Sequence, residues 1–287
     1  MKLAEMAGIE DASSLRAVVS ALDPEAPADY REVAGLLALD WKEKGCRRAG
    51  IAGGQGAGKS TLGRLIEAAC REVGLRACVV GIDDFYLTRA ERRTLAEGIH
   101  PLFETRGPPG THDLALCESV MASLFEAGAV ACPQFDKGRD DRAEPTTRSG
   151  PYDLVVLEGW CVGATPESRK ALATPINVLE SEEDPTGDFR RYANDRLRHE
   201  YRALYAQLDS IAFLAVPSLD AVRRWRLQQE EARPESQRLD GSAIARFVQH
   251  YERVTLEMLR RLPQEVDWTF RLAEDHSVAA VERSVKG

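Results

Sequence analysis

A glycine-rich segment, GGQGAGKST at residues 53–61, is the first stretch whose residue types could do chemistry. The spacing Gly-x-x-x-x-Gly-Lys-Ser, between an apolar run and a helical pattern, is typical of a loop that binds phosphate. Glycines let successive backbone N–H groups turn toward phosphate oxygens, and the following helix N-terminus adds partial positive charge. Lys59 can bridge the β- and γ-phosphates of a nucleotide, and the Ser60 hydroxyl can ligate Mg²⁺. The predicted nucleotide contacts are Gly53, Gly54, Gln55, Gly56, Ala57, Gly58, Lys59, Ser60 and Thr61.

Three acids stand at the ends of two other apolar runs, VVGIDD and YDLVVLE. Because the carboxyl ends of parallel strands form the ligand edge of an open sheet, we expect these acids beside the phosphate loop. Asp83 is the predicted base, which orients an acceptor hydroxyl and accepts its proton. Asp84 either assists a metal or caps the next turn. Glu158 is predicted to hold Mg²⁺ together with Ser60.

Two segments rich in Gly, Pro and charged residues, RGPPGTHD and PQFDKGRDDRAEP, resemble substrate-binding loops. Their polar groups could grip a small polyhydroxy or carboxylate ligand, although such segments are also common as solvated surface connections. Tyr86 is also a predicted substrate residue, although packing under the following helix is the favoured interpretation of its position. The predicted substrate residues are Asp83, Asp84, Tyr86, Arg106, His112, Asp136, Lys137 and Arg142.

A basic segment, VRRWRLQQE, follows a later apolar run and contains Arg223, Arg224 and Arg226. Arginines on one helix at this point could form a lid that closes over the phosphates. A solvated basic face explains the same pattern equally well. Arg226 is a predicted catalytic residue, together with Asp83 and Lys59.

Apolar runs and helical patterns alternate along the chain, which favours right-handed crossovers and a parallel sheet. The predicted fold class is α/β, a P-loop NTPase-type parallel sheet with helices on both faces. Residues 1–45 are predicted to be an N-terminal helical extension, with Val33, Leu36, Leu37 and Trp41 at helical spacing. Residues 46–287 are predicted to form the single catalytic domain.

Composition narrows the functional class further. The chain has 287 residues and a formal net charge of −8, which argues against a nucleic-acid binder with a broad basic face. No apolar run approaches the ~20 residues that a membrane span requires. The six cysteines show no metal-ligand spacing, as expected for reduced thiols. We therefore expect a cytoplasmic protein that acts on a small molecule, without nucleic-acid or membrane partners, while the oligomeric state stays open.

The ordered set GGQGAGKST, IDDFYLT, RGPPGTHD, FDKGRDDR, EGW and WRLQQE resembles the D-glycerate 3-kinase family. That family belongs to the P-loop kinases related to uridine kinase, phosphoribulokinase and pantothenate kinase. The resemblance runs from about Arg48 to about Pro263, and IDDFYLT with RGPPGTHD is its most restricted part. It implies that Lys59 and Ser60 handle ATP and Mg²⁺, and that Asp83 is the base. It also implies Glu158 as the acid beside the metal and a lid that contains Arg226.

The sequence thus predicts an ATP-dependent kinase that converts D-glycerate to 3-phosphoglycerate. A related P-loop kinase for another hydroxy acid, a sugar or a nucleoside is the nearest alternative, followed by a non-catalytic nucleotide-binding regulator. A GTPase or metallochaperone is disfavoured, because the chain has neither an Asn-Lys-x-Asp segment nor a cysteine motif for a metal.

Overall fold

The computed structural model describes residues 1–231 and 241–284, so residues 232–240 and 285–287 of the expected catalytic domain lie outside it. The strands are β1 (Arg48–Gly53), β2 (Ala77–Gly81), β3 (Gly128–Asp136), β4 (Asp141–Gly150), β5 (Leu154–Gly159), β6 (Ser210–Ala215), β7 (Trp268–Leu272) and β8 (Val278–Arg283). The α-helices are α1 (Lys2–Met6), α2 (Ser13–Ala21), α3 (Ala28–Glu43), α4 (Lys59–Glu72), α5 (Arg89–Gly98), α6 (Leu114–Ser123), α7 (Val178–Glu182), α8 (Asp188–Arg196), α9 (Arg202–Tyr205), α10 (Leu219–Glu231) and α11 (Gly241–Glu265).

A six-stranded sheet in the order β2-β5-β1-β6-β7-β8 forms the centre of the fold. Neighbouring strands from β2 to β7 are parallel, and β8 is antiparallel at the edge. Nearly every residue of β1 and β5 is buried, as expected for strands that have helices on both faces. The predicted fold class is confirmed, with the antiparallel edge strand as an addition that the sequence pattern did not reveal.

The helix after the phosphate loop follows its predicted pattern closely. In α4 the side chains of Leu62, Leu65, Ile66 and Ala69 are buried and form one apolar face against the sheet. Its first residue, Lys59, comes directly after the loop glycine Gly58. The strand–loop–helix unit therefore points the helix N-terminus and its free backbone N–H groups toward the carboxyl edge of the sheet.

The strand before the paired acids is shorter than predicted. We expected it to end at Asp83, but β2 ends at Gly81, and Ile82–Phe85 form a 3₁₀ turn. Ile82 and Phe85 are buried by this turn, whereas Asp83 and Asp84 are only partly buried. The turn thus presents two carboxylates from adjacent positions without removing them from the edge of the sheet.

The segment PQFDKGRDDRAEP is not the loop that its composition predicted. It forms the end of β3, a turn at residues 137–140 and the start of β4, which pair as an antiparallel hairpin. Asp140 in the turn has a φ of 56°, a left-handed conformation that Asp tolerates better than most residues. Most of β4 is exposed, so the hairpin lacks the alternation of apolar and polar residues that normally signals a strand.

The first 45 residues pack directly on the sheet and on α4. Leu3, Leu15 and Leu37 belong to the same buried apolar cluster as Ile51 of β1 and Leu62 of α4. The predicted boundary at residue 45 falls in the turn between α3 and β1, and a division into two units there stays a prediction. Among the helices of residues 1–231 and 241–284, none is long and apolar enough to cross a membrane.

Candidate active site

The phosphate loop joins β1 to α4, and its geometry requires glycine at two positions. Gly56 and Gly58 have φ angles of 80° and 75°, in the left-handed region that favours glycine. A Cβ on Gly56 would stand 2.7 Å from Cβ of Trp225, and one on Gly58 would stand 2.8 Å from the Tyr30 ring. The Tyr30 hydroxyl also donates to the Ala57 carbonyl at 2.7 Å. The loop is therefore held between α3 and α10.

A cleft of about 420 Å³ opens beside this loop at the carboxyl edge of the sheet. Its walls come from the loop, from the 3₁₀ turn after β2, from the end of β5 and from the turn of the hairpin. The predicted residues that line it are Gln55, Gly56, Gly58, Lys59, Ser60, Thr61, Asp83, Asp84, Tyr86, Arg106, Lys137, Glu158 and Arg226. The predicted residues outside its lining are Gly53, Gly54, Ala57, His112, Asp136 and Arg142.

Lys59 places a cation at the base of the cleft. Its Nζ lies 3.1 Å from the Gly54 carbonyl oxygen and donates to it, so the side chain curls back over the loop. Burial lowers the pKa of Lys59, while the nearby carboxylates of Glu158 and Asp83 act in the opposite direction. An anionic phosphate in the loop would give this desolvated ammonium the counter-charge that favours it.

Asp83 also lines the cleft, and two hydrogen bonds hold its side chain. Its carboxylate accepts hydrogen bonds from Lys137 Nζ at 2.7 Å and from the Tyr86 hydroxyl at 2.8 Å. Burial alone would raise the pKa of Asp83, but the Lys137 ammonium and these hydrogen bonds lower it to about 2. The carboxylate is therefore ionised at neutral pH. Since it can accept about four hydrogen bonds, it keeps capacity for a ligand hydroxyl.

The hairpin that supplies Lys137 is anchored by two arginines. Arg92, which is fully buried, donates from Nη2 to the Asp140 carbonyl oxygen at 3.0 Å. The Asp140 carboxylate also pairs with Arg106, whose side chain lines the cleft. The turn of the hairpin is thereby tied to the RGPPGTHD segment, which places Lys137 and Arg106 at the same end of the cleft.

Two further carboxylates converge at the ends of β2 and β5. The Ser60 hydroxyl donates to Glu158 Oε1 at 3.1 Å. A Cβ built on Gly81 would stand 3.4 Å from Asp84 Oδ2 and 3.6 Å from Glu158 Oε1, so both carboxylates border the same small space. Burial raises the pKa of Glu158, and burial raises the pKa of Asp84 to about 6, against the effect of the Phe135 N–H that donates to it.

This arrangement fits Mg²⁺. Two carboxylates in a desolvated space are stabilised as anions by a cation between them, and a serine hydroxyl lies beside one of them. Within residues 1–231 and 241–284, no group of three or more His, Cys, Asp or Glu side chains could hold a metal ion. Mg²⁺ does not need one, because it usually binds one or two carboxylates together with water and substrate phosphates.

Three predicted substrate residues do not line the cleft and instead support the residues that form its walls. His112 is buried, stacks on the Tyr86 ring with the ring centroids 4.6 Å apart, and lies 2.5 Å from the Tyr201 hydroxyl through Nδ1. Arg142 donates from Nε to the Tyr86 carbonyl oxygen at 2.9 Å. Asp136 accepts from the backbone N–H of Gly138 and thereby caps the turn of the hairpin.

The predicted lid segment contributes one arginine to the cleft. Arg226 lines it, with the guanidinium carbon 5.5 Å from the centre of the Phe247 ring. Arg223 pairs with Asp220 at 2.9 Å, and Arg224 pairs with Glu274. Of the three arginines, Arg226 therefore lines the cleft, whereas Arg223 and Arg224 form ion pairs outside its lining.

Sequence reasoning missed three aromatic residues of the cleft. Tyr251 and Phe247 lie on α11, and Trp160 follows β5. The Tyr251 hydroxyl donates to the Arg106 carbonyl oxygen at 2.7 Å, and Trp160 Nε1 donates to the Gly107 carbonyl oxygen at 3.2 Å. Tyr251 and Trp160 thereby hold the start of the RGPPGTHD segment in place. Only Trp160 carried a signal, since it belongs to the quoted EGW motif, whereas the other two look like an ordinary apolar helix face.

Known proteins resemble this chain over most of its length. No protein-family model matches. The chain is 30% identical over 216 residues to the uncharacterized kinase mug58 of Schizosaccharomyces pombe, over 70% of this chain and 77% of that protein. It is also 30% identical over 200 residues to the probable ATP-dependent kinase TDA10 of Saccharomyces cerevisiae, over 63% of this chain and 66% of that protein. The chain belongs to the family of the mug58 kinase.

Solved structures share the fold of this kinase family. A D-glycerate 3-kinase from Cryptococcus neoformans superposes with a TM-score of 0.72 at 24% identity, over 90% of this chain and 100% of that one. The YGR205w protein gives a TM-score of 0.69 at 23% identity, over 90% of this chain and 99% of that one. The P-loop kinase class and the fold that the motifs indicated are confirmed.

Proposed function

We propose that the chain transfers the γ-phosphoryl group of ATP to a hydroxyl of D-glycerate and forms 3-phosphoglycerate. The observation that carries the proposal is the pairing of Asp83 with Lys137 in the lining of the cleft that also contains the phosphate loop. The carboxylate can accept a hydrogen bond from a substrate hydroxyl, and the cation beside it can pair with a substrate carboxylate. D-glycerate carries both groups on three carbon atoms.

The donor follows from the loop and from the relatives. A Gly-x-x-x-x-Gly-Lys-Ser loop binds the phosphates of nucleoside triphosphates. TDA10 is described as a probable ATP-dependent kinase, which favours ATP over other triphosphates as the donor. In this arrangement Lys59 and the backbone N–H groups of residues 56–60 hold the β- and γ-phosphates.

The acceptor end of the cleft favours an anion. Lys137 and Arg106 both line it, where Lys137 pairs with Asp83 and Arg106 pairs with Asp140. The glycerate carboxylate would share these cations, because charge-assisted hydrogen bonds are stronger than neutral ones. A neutral nucleoside offers no group of this kind, which is why we place a hydroxy acid ahead of uridine.

Asp83 would act on the acceptor hydroxyl. The hydroxyl oxygen forms a bond to the γ-phosphorus while the bond to the β–γ bridging oxygen breaks, and the hydroxyl proton passes to Asp83. A carboxylate with a pKa of about 2 is a weak base. It suffices here because the transition state of phosphoryl transfer is loose, so orientation matters more than basicity.

Mg²⁺ would be held by Ser60 and Glu158, with Asp84 beside them, and when bound it supplies charge neutralisation for the phosphate oxygens. Arg226 would offset charge on the transferring group from the side of α10. Closure by the same helix would exclude water, which otherwise hydrolyses ATP.

The proposal predicts a specific loss of acceptor affinity in Lys137→Met. Removing the cation that pairs with the acceptor carboxylate is expected to raise KM for D-glycerate by roughly 10- to 100-fold, the usual strength of a hydrogen bond to a charged group. KM for ATP is expected to change by less than about twofold, because Lys137 lies at the acceptor end. Steady-state kinetics with each substrate varied in turn measures both values.

Lys170→Met provides the matched control, since Lys170 is exposed and lies outside the lining of the cleft. Its kinetic constants are expected to match those of the unaltered chain. If Lys137→Met kept its KM for D-glycerate, the anionic end of the acceptor would not bind where we place it, and the proposed substrate class would fail.

A further inference from the structure

An ion pair in the cleft joins the two residues to which the acceptor is proposed to bind. Lys137 Nζ donates to Asp83 Oδ2 at 2.7 Å, and the Tyr86 hydroxyl donates to Asp83 Oδ1 at 2.8 Å. Each oxygen of the carboxylate therefore already has a donor. Because the acceptor hydroxyl would bind to Asp83 and the acceptor carboxylate to Lys137, binding of the acceptor competes with the contact between these two side chains.

The ammonium of Lys137 is the part of this ion pair that can move. The Lys137 side chain is 50% exposed, and exposed side chains change rotamer rapidly. The turn that carries it, residues 137–140, is held in place by Arg92 and Arg106, which both bind to Asp140. The ion pair can therefore open by rotation of the lysine side chain, without movement of the hairpin.

The position of the ammonium affects what Asp83 can do before an acceptor binds. The charge of Lys137 is close enough to act on Lys59, Asp84 and Glu158, which surround the reacting phosphate in the proposed mechanism. While the ammonium is bound to Oδ2, it competes with water for that oxygen, and it stabilises the carboxylate in the form that holds no proton. Asp83 is therefore a poor base for a water molecule as long as the ion pair is closed.

An unpaired Asp83 beside bound ATP would promote hydrolysis. The oxygen of a water molecule would form a bond to the γ-phosphorus while the bond to the β–γ bridging oxygen breaks, and a water proton would pass to Asp83. The products would be ADP and inorganic phosphate. Water fits wherever an acceptor hydroxyl fits, so the shape of the cleft alone does not prevent this side reaction.

We propose that Lys137 makes phosphoryl transfer specific for the acceptor over water, by pairing with Asp83 until an acceptor carboxylate draws the ammonium away. The molecule that releases Asp83 then also supplies the hydroxyl that binds to it. This inference rests on the proposed function, since it takes an acceptor with a carboxylate and a hydroxyl. It goes further by giving Lys137 a role while the acceptor is absent.

The first test is ADP release with Mg·ATP and no acceptor. Lys137→Met removes the cation and is expected to hydrolyse ATP roughly 10- to 100-fold faster than the unaltered chain, the usual strength of a hydrogen bond to a charged group. The double variant that combines Lys137→Met with Asp83→Asn is expected to fall back to the rate of the unaltered chain or below, because the excess passes through Asp83. Lys170→Met, at an exposed residue outside the lining of the cleft, is the matched control and is expected to leave the rate unchanged.

The second test uses the unaltered chain, so it does not depend on the folding of a variant. Propionate carries the carboxylate and the three-carbon chain of the acceptor but no hydroxyl, which leaves room for water beside Asp83. Saturating propionate is expected to stimulate ATP hydrolysis at least about threefold, since a ligand that binds the open arrangement shifts the equilibrium toward it. Propionamide has the same shape without the charge and is expected to have no effect. In Lys137→Met, propionate is expected to add nothing.

Either an unchanged rate of hydrolysis in Lys137→Met or a failure of propionate to stimulate the unaltered chain would overturn this inference. The proposed function would stand in both cases if the unaltered chain phosphorylates D-glycerate. Faster hydrolysis that persists in the double variant would also overturn the inference, because the excess would then not pass through Asp83. An unaltered chain that binds Mg·ATP but does not phosphorylate D-glycerate would overturn the proposed function, and this inference with it.

Discussion

Asp83→Asn is expected to lower kcat by a factor of about 10² to 10⁴ while ATP binding stays nearly intact. The substitution keeps the shape of the side chain but removes its capacity to accept the hydroxyl proton. It also releases Lys137, which donates to Asp83 at 2.7 Å. KM for D-glycerate is therefore not expected to rise, and the loss should appear in kcat alone. Steady-state kinetics and ATP titration measure the three quantities.

Asp195→Asn is the control for this prediction. Asp195 is 66% exposed and pairs only loosely with Arg198, at 4.0 Å. Its kinetic constants are expected to equal those of the unaltered chain, and both variants are expected to unfold at similar temperatures. An unchanged kcat in Asp83→Asn would contradict the role of Asp83 as the base.

Lys59→Met is expected to reduce both ATP affinity and kcat, with kcat/KM for ATP falling by roughly 10³-fold or more. Methionine preserves the length and most of the volume of the side chain, so the change isolates the charge. The ammonium is desolvated at the base of the cleft, where the attraction to a phosphate is stronger than in water. Kinetics with ATP varied, together with direct ATP titration, separates the effect on binding from the effect on transfer.

Arg64→Met removes a cation from the same helix and is the control, because Arg64 is exposed and does not line the cleft. It is expected to bind and turn over ATP normally. Should Lys59→Met itself bind and turn over ATP normally, the phosphate-loop interpretation of residues 53–61 would be wrong.

The parts of the site that are adjacent in sequence could be predicted from the sequence. The phosphate loop depends on contacts within about nine residues, so the types and spacing of its glycines, lysine and serine are enough to predict their roles. The edge of the sheet at which the acids after β2 and β5 lie was predictable for a related reason, since buried parallel strands give continuous apolar runs that stop at the ligand edge. The structure places Lys59, Asp83 and Glu158 in the lining of one cleft, and their roles stay predictions.

Contacts between distant segments were not predictable in the same way. The sequence named Lys137 as a candidate, but nothing in it indicated that Lys137 would pair with Asp83 across 54 positions. That contact depends on the β3–β4 hairpin, whose exposed strand has no periodic apolar signal. His112 shows the reverse case, a predicted substrate residue that the structure places outside the lining of the cleft. Its position in a polar loop suggested a ligand contact, but its ring packs between Tyr86 and Tyr201, where burial lowers its pKa to about 4.

The N-terminal extension illustrates a third limit. Tyr30 contacts Ala57 and Gly58, although its surroundings in sequence are those of an ordinary amphipathic helix. A helix pattern identifies the face that is buried, but it does not identify what that face covers. The packing of α3 against the phosphate loop connects the first 45 residues to the site.

The most direct measurement of the central claim is ADP release by the chain with Mg·ATP and a panel of acceptors. The panel is D-glycerate, L-glycerate, uridine, pantothenate and ribulose 5-phosphate, and phosphorus NMR identifies any product. The account predicts turnover with D-glycerate and a product whose phosphorus couples to a CH₂ group, as in 3-phosphoglycerate. Turnover with uridine or another panel member but none with D-glycerate would contradict the proposed acceptor, and no turnover with any acceptor would contradict the kinase reaction as we assign it.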